Sequence, residues 1–315
     1  HSWKRGTAME SGRIATNGVE MCYDTRGPAD GEPVLFIMGL SAQMVFWPEP
    51  LLDDMAERGY RVIRFDNRDI GRSTLLREKI PHTPWAAMAR FLFGLPVKAP
   101  YTLHDMVADT EGLLDELGHD GVHVVGASMG GMIGQLMAST RPQRVRSLTS
   151  IMSSNNGRLL PPPKFAALKT LVGPREKIHT VDEYIAFGFD MMARIGGELE
   201  QGEELLREQF RQSWERGMHP RGVLQQFMAI MATGPLTPHL RQIRTPTTVI
   251  HGSADPLIRP AGGRASARHI PGARLEVLEG MGHDFPRSLL PRIGELIHET
   301  AERTRVPGTA SATAS

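Results

Sequence analysis

VHVVGASMGG, residues 122–131, joins an apolar run typical of a buried strand to a glycine-rich run typical of a helix start. Within it, Gly126, Ser128 and Gly130 form a G-x-S-x-G pattern. In a strand–turn–helix setting, the glycines let strand and helix approach closely, and the sharp turn holds the serine hydroxyl above the sheet. The plainer alternative is a helix start capped by a serine. The setting favours Ser128 as a nucleophile and the Met129 backbone N–H as an oxyanion donor.

Around this stretch, short β-rich runs alternate with helical runs, which predicts an α/β fold with a doubly wound, mostly parallel sheet. The predicted strands are Met21–Thr25, Val34–Met38, Arg61–Phe65, Val122–Ala127, Arg146–Met152, Thr247–His251 and Arg274–Leu278. The predicted helices are Pro48–Arg58, Leu103–Leu117, Met129–Ser139 and Leu289–Arg303. Thr102 and Asp105 suit a capping box at the start of the second helix.

Two segments interrupt the alternation. Residues 155–237 contain no convincing strand and are rich in Met, Phe and helix formers, which predicts a helical cap inserted into a core of residues 12–154 and 238–304. Residues 82–100 place Trp85, Phe91 and Phe93 between prolines and suit a further lid element. Residues 1–11 and 305–315 are expected to be disordered.

A nucleophilic serine needs a general base, because its hydroxyl is nearly inert at its own pKa. His283 follows the apolar run RLEVL, so it would emerge at the carboxyl end of the sheet and is the best candidate. His251 instead ends a predicted strand in the sheet interior, and His104 and His298 fall on predicted helices.

The carboxylate that orients such a histidine should lie between the serine and the histidine in chain order. Asp255 does so, directly after the strand TTVI and before a proline that disfavours a helix there. Asp284 adjoins His283, but adjacent side chains seldom face each other well, so we interpret it as a loop hydrogen-bonding residue. Asp255 is therefore the predicted acid, with Asp284 as the alternative.

The second oxyanion donor should come from the loop after the strand that ends at Met38. The Leu40 backbone N–H is the candidate, and Gly39 would allow close backbone approach. The following residues, including Trp47, would wall the substrate pocket, and Phe91 and Phe93 of the lid element would contact substrate. For Gly39 alone, a simple strand end is an equally good interpretation.

These segments resemble those of the α/β-hydrolase superfamily. GASMGG, HGSADPLI and GMGHDFP are similar to its nucleophile, acid and histidine segments in the family's order, and DNRDIGRS (66–73) is similar to a structural turn. More narrowly, IMGLSAQMVFWP (37–48), FDNRDIGRS and GMGH resemble bacterial esterases of the aclacinomycin methylesterase type. Met38 departs from the commoner His-Gly oxyanion segment. The resemblance implies ester hydrolysis through an acyl-enzyme, with no cofactor or metal.

Composition limits the other classes of function. Lys and Arg total 36 against 35 acidic residues, so the charge surplus of a nucleic-acid binder is missing. The near-balanced charge favours an enzyme that acts on a small molecule, and the resemblance implies that this molecule is an ester. A single cysteine, Cys22, and no apolar run long enough for a membrane span or signal peptide indicate a cytoplasmic location. The same triad also serves C–C bond hydrolysis, lactone opening and perhydrolysis, and a ligand-binding protein of the same fold is the non-enzyme alternative.

Overall fold

Buried strands form the centre of the protein, whose computed structural model describes residues 10–172 and 178–305. The eight strands are β1 (Glu10–Thr16), β2 (Val19–Arg26), β3 (Glu32–Ile37), β4 (Tyr60–Phe65), β5 (Val122–Ala127), β6 (Val145–Ile151), β7 (Thr247–Gly252) and β8 (Arg274–Leu278). They form one sheet in the order β1-β2-β4-β3-β5-β6-β7-β8. β1 and β2 run antiparallel to their neighbours, whereas all pairs from β4 to β8 are parallel.

Helices connect the strands. They are α1 (Glu49–Glu57), α2 (Pro84–Leu92), α3 (Leu103–Glu116), α4 (Met129–Thr140), α5 (Phe165–Val172), α6 (Val181–Ile195), α7 (Glu203–Glu215), α8 (Pro220–Thr233), α9 (Thr237–Leu240), α10 (Pro260–His269) and α11 (Leu290–Glu302). The expected capping box of Thr102 and Asp105 is present at the start of α3.

Both faces of the sheet are covered, which is why the strands from β3 to β7 are buried along nearly their whole length. One large core cluster packs α3 and α4 against one face, and a second packs α1 and α11 against the other. Within the described ranges, none of the helices combines the length and apolar character that crossing a bilayer requires. The predicted α/β-hydrolase fold class, with helices on both sides of a mostly parallel sheet, is confirmed.

Between β6 and β7 the described chain runs through α5, α6, α7 and α8 without a strand, over the range for which the sequence predicts a cap. α2 lies in the segment predicted as a lid element. It packs through Ala87 against Leu168 of α5 and against Phe227 and Met228 of α8. The segments predicted as lid element and as cap therefore share one apolar cluster.

The structure corrects several expectations. β1 was not predicted, because its sequence ESGRIAT is half-exposed and polar, as suits an edge strand. Consequently Glu10 and Ser11 are strand residues and not part of a disordered terminus. At the other end Arg305 pairs with Glu32 and Glu302. The rest of the two predicted disordered ends lies outside the described residues. α10 was also missed, since the two glycines in PAGGRASARH weaken its helical pattern.

Candidate active site

Ser128 lies in the turn between β5 and α4 with φ 55° and ψ −119°, in the left-handed region that a residue with a Cβ rarely adopts. Its backbone is held on both sides. The Ser128 N–H donates to the Ile151 carbonyl of β6 at 2.9 Å, and the Ser128 carbonyl accepts from the Ser153 hydroxyl at 2.7 Å. Strain of this kind persists only when the surroundings fix it, and it marks functional sites.

Two glycines make this turn sterically feasible. A Cβ on Gly126 would lie 2.2 Å from the Gly130 carbonyl oxygen, and a Cβ on Gly130 would lie 1.9 Å from the Ile37 carbonyl oxygen of β3. Both distances are far below van der Waals contact. The G-x-S-x-G spacing is therefore required by the close approach of β5, α4 and β3.

His283 and Asp255 meet at the carboxyl end of the sheet. The distance between His283 Nδ1 and Asp255 Oδ2 is 2.9 Å. The other carboxylate oxygen, Oδ1, accepts from the backbone N–H groups of Leu257 and Ile258, each at 2.9 Å. Because an ionised carboxylate only accepts, the proton must be on His283 Nδ1, which leaves Nε2 free to act as a base.

A second histidine adjoins Asp255. The His251 ring is fully buried, and its Nε2 lies 2.7 Å from the Ile258 carbonyl oxygen and 3.4 Å from Asp255 Oδ2. The carbonyl acceptor places the proton on Nε2. Its Nδ1 has no partner within the described part of the chain, which fits a neutral ring.

These contacts keep Asp255 ionised. Burial by itself would raise the pKa of the Asp255 carboxyl, but His283 and His251 outweigh burial and lower that pKa to about 2. The carboxylate is therefore charged throughout the neutral range, as a group that stabilises an imidazolium must be.

The loop after β3 lies directly against Ser128. A Cβ on Gly39 would come within 2.9 Å of the Ser128 Cβ, so a glycine is needed for this approach. Among the described residues, the backbone N–H groups of Leu40 and Met129 donate no hydrogen bond to a protein acceptor. Ser41 N–H donates to the Gln226 Oε1 of α8 at 3.2 Å and holds the loop.

Ser128, His283, Gly39, Leu40 and Met129 all line one cavity of about 600 Å³. Most of its remaining surface is apolar and comes from the lid element and the cap, including Met88, Phe91, Tyr184, Phe187, Met191, Met192, Phe210 and Phe227. The cavity thus joins the sheet-edge residues to the inserted helices. Across the described part of the chain, no group of His, Cys, Asp and Glu side chains is placed to hold a metal ion.

Two predicted substrate-binding residues lie outside this cavity. Trp47 is fully buried and packs edge-on against Phe36, with ring centroids 4.9 Å apart, because a short 3-10 turn over Met44–Phe46 rotates it into the core. Its neighbour Phe46 lines the cavity instead. Phe93 is 81% exposed and does not line the cavity, whereas Phe91 does.

Asp284 ties the histidine loop to the cap. Its Oδ1 accepts from Gly282 N–H at 2.9 Å, and its Oδ2 accepts from Gly197 N–H at 3.2 Å and from the Gln201 side chain at 2.5 Å. The interpretation of Asp284 as a loop residue therefore agrees with its contacts. Burial raises the pKa of the Asp284 carboxyl, in contrast to that of Asp255.

The model of the alpha/beta hydrolase fold family matches residues 32–286. Since this match spans most of the chain and the sheet order and the turn at Ser128 agree with it, the protein belongs to the α/β-hydrolase fold family.

Among its relatives, the rhodomycin D methylesterase DnrP of Streptomyces peucetius is 27% identical over 88% of this chain and 93% of its own. The rhodomycin D methylesterase DauP of Streptomyces sp. (strain C5) is 29% identical over 82% of this chain and 87% of its own. Among solved structures, an enol-lactonase from Burkholderia xenovorans LB400 has a TM-score of 0.67 at 21% identity. The match covers 94% of this chain and 100% of the enol-lactonase chain. The two methylesterases agree with the narrower resemblance drawn from the sequence.

Replacing Asp255 should damage turnover far more than replacing Asp284. Asp255→Asn leaves an amide that favours the wrong histidine tautomer, and we expect kcat to fall by roughly 10²–10⁴. Asp284→Asn is the matched control, since it makes the same change one residue from His283. Steady-state kinetics on one ester compares them, and a larger loss in Asp284→Asn would reassign the acid.

The sequence predicts His251 only as a strand residue, whereas its contacts with Asp255 and the Ile258 carbonyl make it a positioning residue for Asp255. Without the Nε2–H group of His251, Asp255 should accept a stronger hydrogen bond from His283 Nδ1. We expect His251→Leu to lower kcat several-fold and to move the acid limb of the kcat/KM profile to higher pH.

His251→Gln retains an N–H donor at a similar reach and should restore the parental pH profile. Loss of activity in His251→Leu with an unchanged profile would mean that the ring only fills space.

Proposed function

We propose that the protein is a serine hydrolase that cleaves carboxylic esters of small to medium hydrophobic molecules through an acyl-enzyme intermediate. One observation supports this most strongly. Ser128, in a strained turn, faces the same cavity as His283, and the histidine is hydrogen-bonded to a buried, ionised Asp255. The protein is a hydrolase of the α/β-hydrolase fold, and ester hydrolysis is the reaction that its methylesterase relatives favour.

In the first step, His283 Nε2 takes the proton from the Ser128 hydroxyl as Oγ attacks the ester carbonyl carbon. The carbonyl oxygen becomes an oxyanion, to which the N–H groups of Leu40 and Met129 donate. His283 then gives the proton to the leaving alcohol, and the acyl group stays on Ser128. Asp255 stabilises the transient imidazolium throughout.

In the second step, His283 takes a proton from water, which attacks the acyl carbon at the same oxyanion position. Collapse of this intermediate returns the proton to Ser128 and releases the carboxylic acid. All proton transfers use His283, so the cycle needs no metal or cofactor.

The cavity supports a hydrophobic substrate. Its volume of about 600 Å³ falls within the range of small-molecule sites, and Met and Phe side chains dominate its lining. Flexible Met side chains repack around varied apolar groups, so tolerance for several esters is expected. We place this activity in the cytoplasm, in keeping with the single cysteine, Cys22.

Lactone opening, C–C bond hydrolysis and perhydrolysis would use the same three residues. A turnover panel of p-nitrophenyl esters of graded acyl length, methyl esters and lactones separates these reactions. Faster turnover of lactones than of every open-chain ester would contradict the proposed substrate class.

Ser128→Ala should abolish ester turnover while leaving the fold intact. The expected loss in kcat is on the order of 10⁴-fold or more, because the attacking oxygen is removed. Activity near the parental value would contradict the serine-hydrolase proposal. In parallel, a fluorophosphonate probe should label the parent and not the variant. A folded parent that resists the probe and turns over no ester would support the ligand-binding alternative.

Phe91 should influence substrate preference, and Phe93 should not. Phe91 lines the cavity, so Phe91→Leu is expected to change kcat/KM for bulky p-nitrophenyl esters by roughly tenfold and for the acetate ester much less. Phe93→Leu is the matched control, because its ring lies in solvent.

Equal losses for all acyl lengths in Phe91→Leu, together with a lower Tm, would instead show that the ring only packs the lid element.

A further inference from the structure

The large apolar side chains that the described residues expose are confined to two segments, residues 79–98 and 158–169. They are Trp85, Leu92, Phe93, Leu95, Leu159 and Phe165, with exposures from 50% to 100%. Scattered single apolar residues on a surface need no explanation, but a group of six concentrated in this way marks an interaction site. We call the surface of these two segments the basic apolar face.

The two segments form one continuous surface. The rings of Trp85 and Phe165 stack with centroids 6.5 Å apart, which joins α2 to α5. The Arg158 guanidinium lies 5.4 Å from the Phe91 ring centroid, and its Nε donates to the Phe91 carbonyl at 2.8 Å. Leu92 and Leu159 line the same cavity and are also 57% and 100% exposed, so they lie where the cavity meets solvent, which we call its mouth. The other four exposed apolar side chains belong to the same two segments.

The charge of this face has one sign. Residues 79–104 and 155–170 contain no Asp or Glu. The cations in these segments are Lys79, Arg90, Lys98, Arg158, Lys164 and Lys169. Within the described part of the chain, none of the six forms an ion pair with a carboxylate. In a protein whose net charge is only +1, this is a local positive surface with its charges available.

We propose that the basic apolar face docks on the surface of an anionic lipid bilayer, with the mouth of the cavity turned toward the lipid. Aromatic and leucine side chains insert at the headgroup level, and lysine and arginine pair with lipid phosphates. An apolar ester dissolved in the bilayer then enters the cavity beside Leu92 and Leu159 without crossing water.

A second copy of the chain fits this face less well. A two-fold dimer would place the same patch on both sides, so six cations would face six cations with no carboxylate of the patch between them. A bilayer containing acidic lipids supplies the opposite charge and an apolar interior at once. The cytoplasmic leaflet carries such lipids.

Co-sedimentation of the full chain with vesicles tests the proposal. We expect binding to mixed phosphatidylcholine–phosphatidylglycerol vesicles and much weaker binding to phosphatidylcholine alone. Raising the salt from about 0.01 M to about 1 M shortens the Debye length from about 30 Å to about 3 Å and should weaken binding.

Two double variants separate the electrostatic contribution to vesicle binding from the contribution of apolar insertion. Lys98→Glu with Lys164→Glu removes charge attraction, and Phe93→Ser with Leu95→Ser removes insertion. We expect each to weaken binding about tenfold or more. Arg264→Glu with Arg268→Glu makes the same charge change on exposed positions of α10 and is the matched control, which should bind as the parent does.

The readout does not depend on catalysis, because Ser128→Ala should bind vesicles like the parent. Turnover of a water-soluble ester by the face variants shows that they are folded. Failure of the parent to bind acidic vesicles would overturn the proposal, as would equal weakening in the α10 control. Concentration-dependent dimers that dissociate in the Phe93→Ser, Leu95→Ser variant, without vesicle binding, would instead assign the face to a second copy.

Discussion

The left-handed backbone of Ser128 is the constraint on which the rest of the site depends. Holding a residue with a Cβ in that region costs about 1–3 kcal/mol, and the cost must be offset by the surrounding structure. Here β6 supplies two of the restraints, through the Ile151 carbonyl and the Ser153 hydroxyl that follows the strand. The missing Cβ atoms of Gly126 and Gly130 let the strand, helix and neighbouring strand approach. The parallel sheet is thus what presents the serine hydroxyl at its carboxyl edge.

The ionised state of Asp255 depends on a balance between its burial and the histidines that contact it. Burial disfavours an ionised Asp255, yet His283 and His251 outweigh it and hold the pKa of that carboxyl at about 2. The pKa of Asp255 in the folded protein lies below its ordinary value of 3.8. Ionisation of Asp255 therefore stabilises the fold above pH 3.8, and this contribution is lost as the pH falls toward 2. Asp255, which orients His283, therefore also stabilises its own loop, where it accepts from the N–H groups of Leu257 and Ile258.

The sequence predicts the parts of this protein that depend on local pattern. Seven strands and the positions of Ser128, Asp255 and His283 follow from apolar runs and from the turns after them. It does not predict which way a side chain turns within a loop. Trp47 faces the core while the adjacent Phe46 faces the cavity, and a short 3-10 turn that leaves no clear sequence signal decides this. The sequence does not predict the contact of His251 with Asp255 for a similar reason, since it depends on a loop that folds back so that the Ile258 carbonyl meets the His251 ring.

The helices between β6 and β7 do more than line the cavity, since they also hold two loops of the candidate site. Gln226 of α8 binds the loop beside Leu40, and the Ile195 carbonyl accepts from His283 N–H at 2.8 Å. Hydrogen bonds weaken steeply when their distance or angle changes, so these two fix the loops against the helices. The side formed by α2 and α5 borders the cavity mainly through apolar side chains, whose contacts are non-directional and tolerate small shifts. The lining is thus divided between two kinds of contact: hydrogen bonds fix the loops beside Leu40 and His283, and apolar side chains of α2 and α5, next to the basic apolar face, line the opposite part of the cavity.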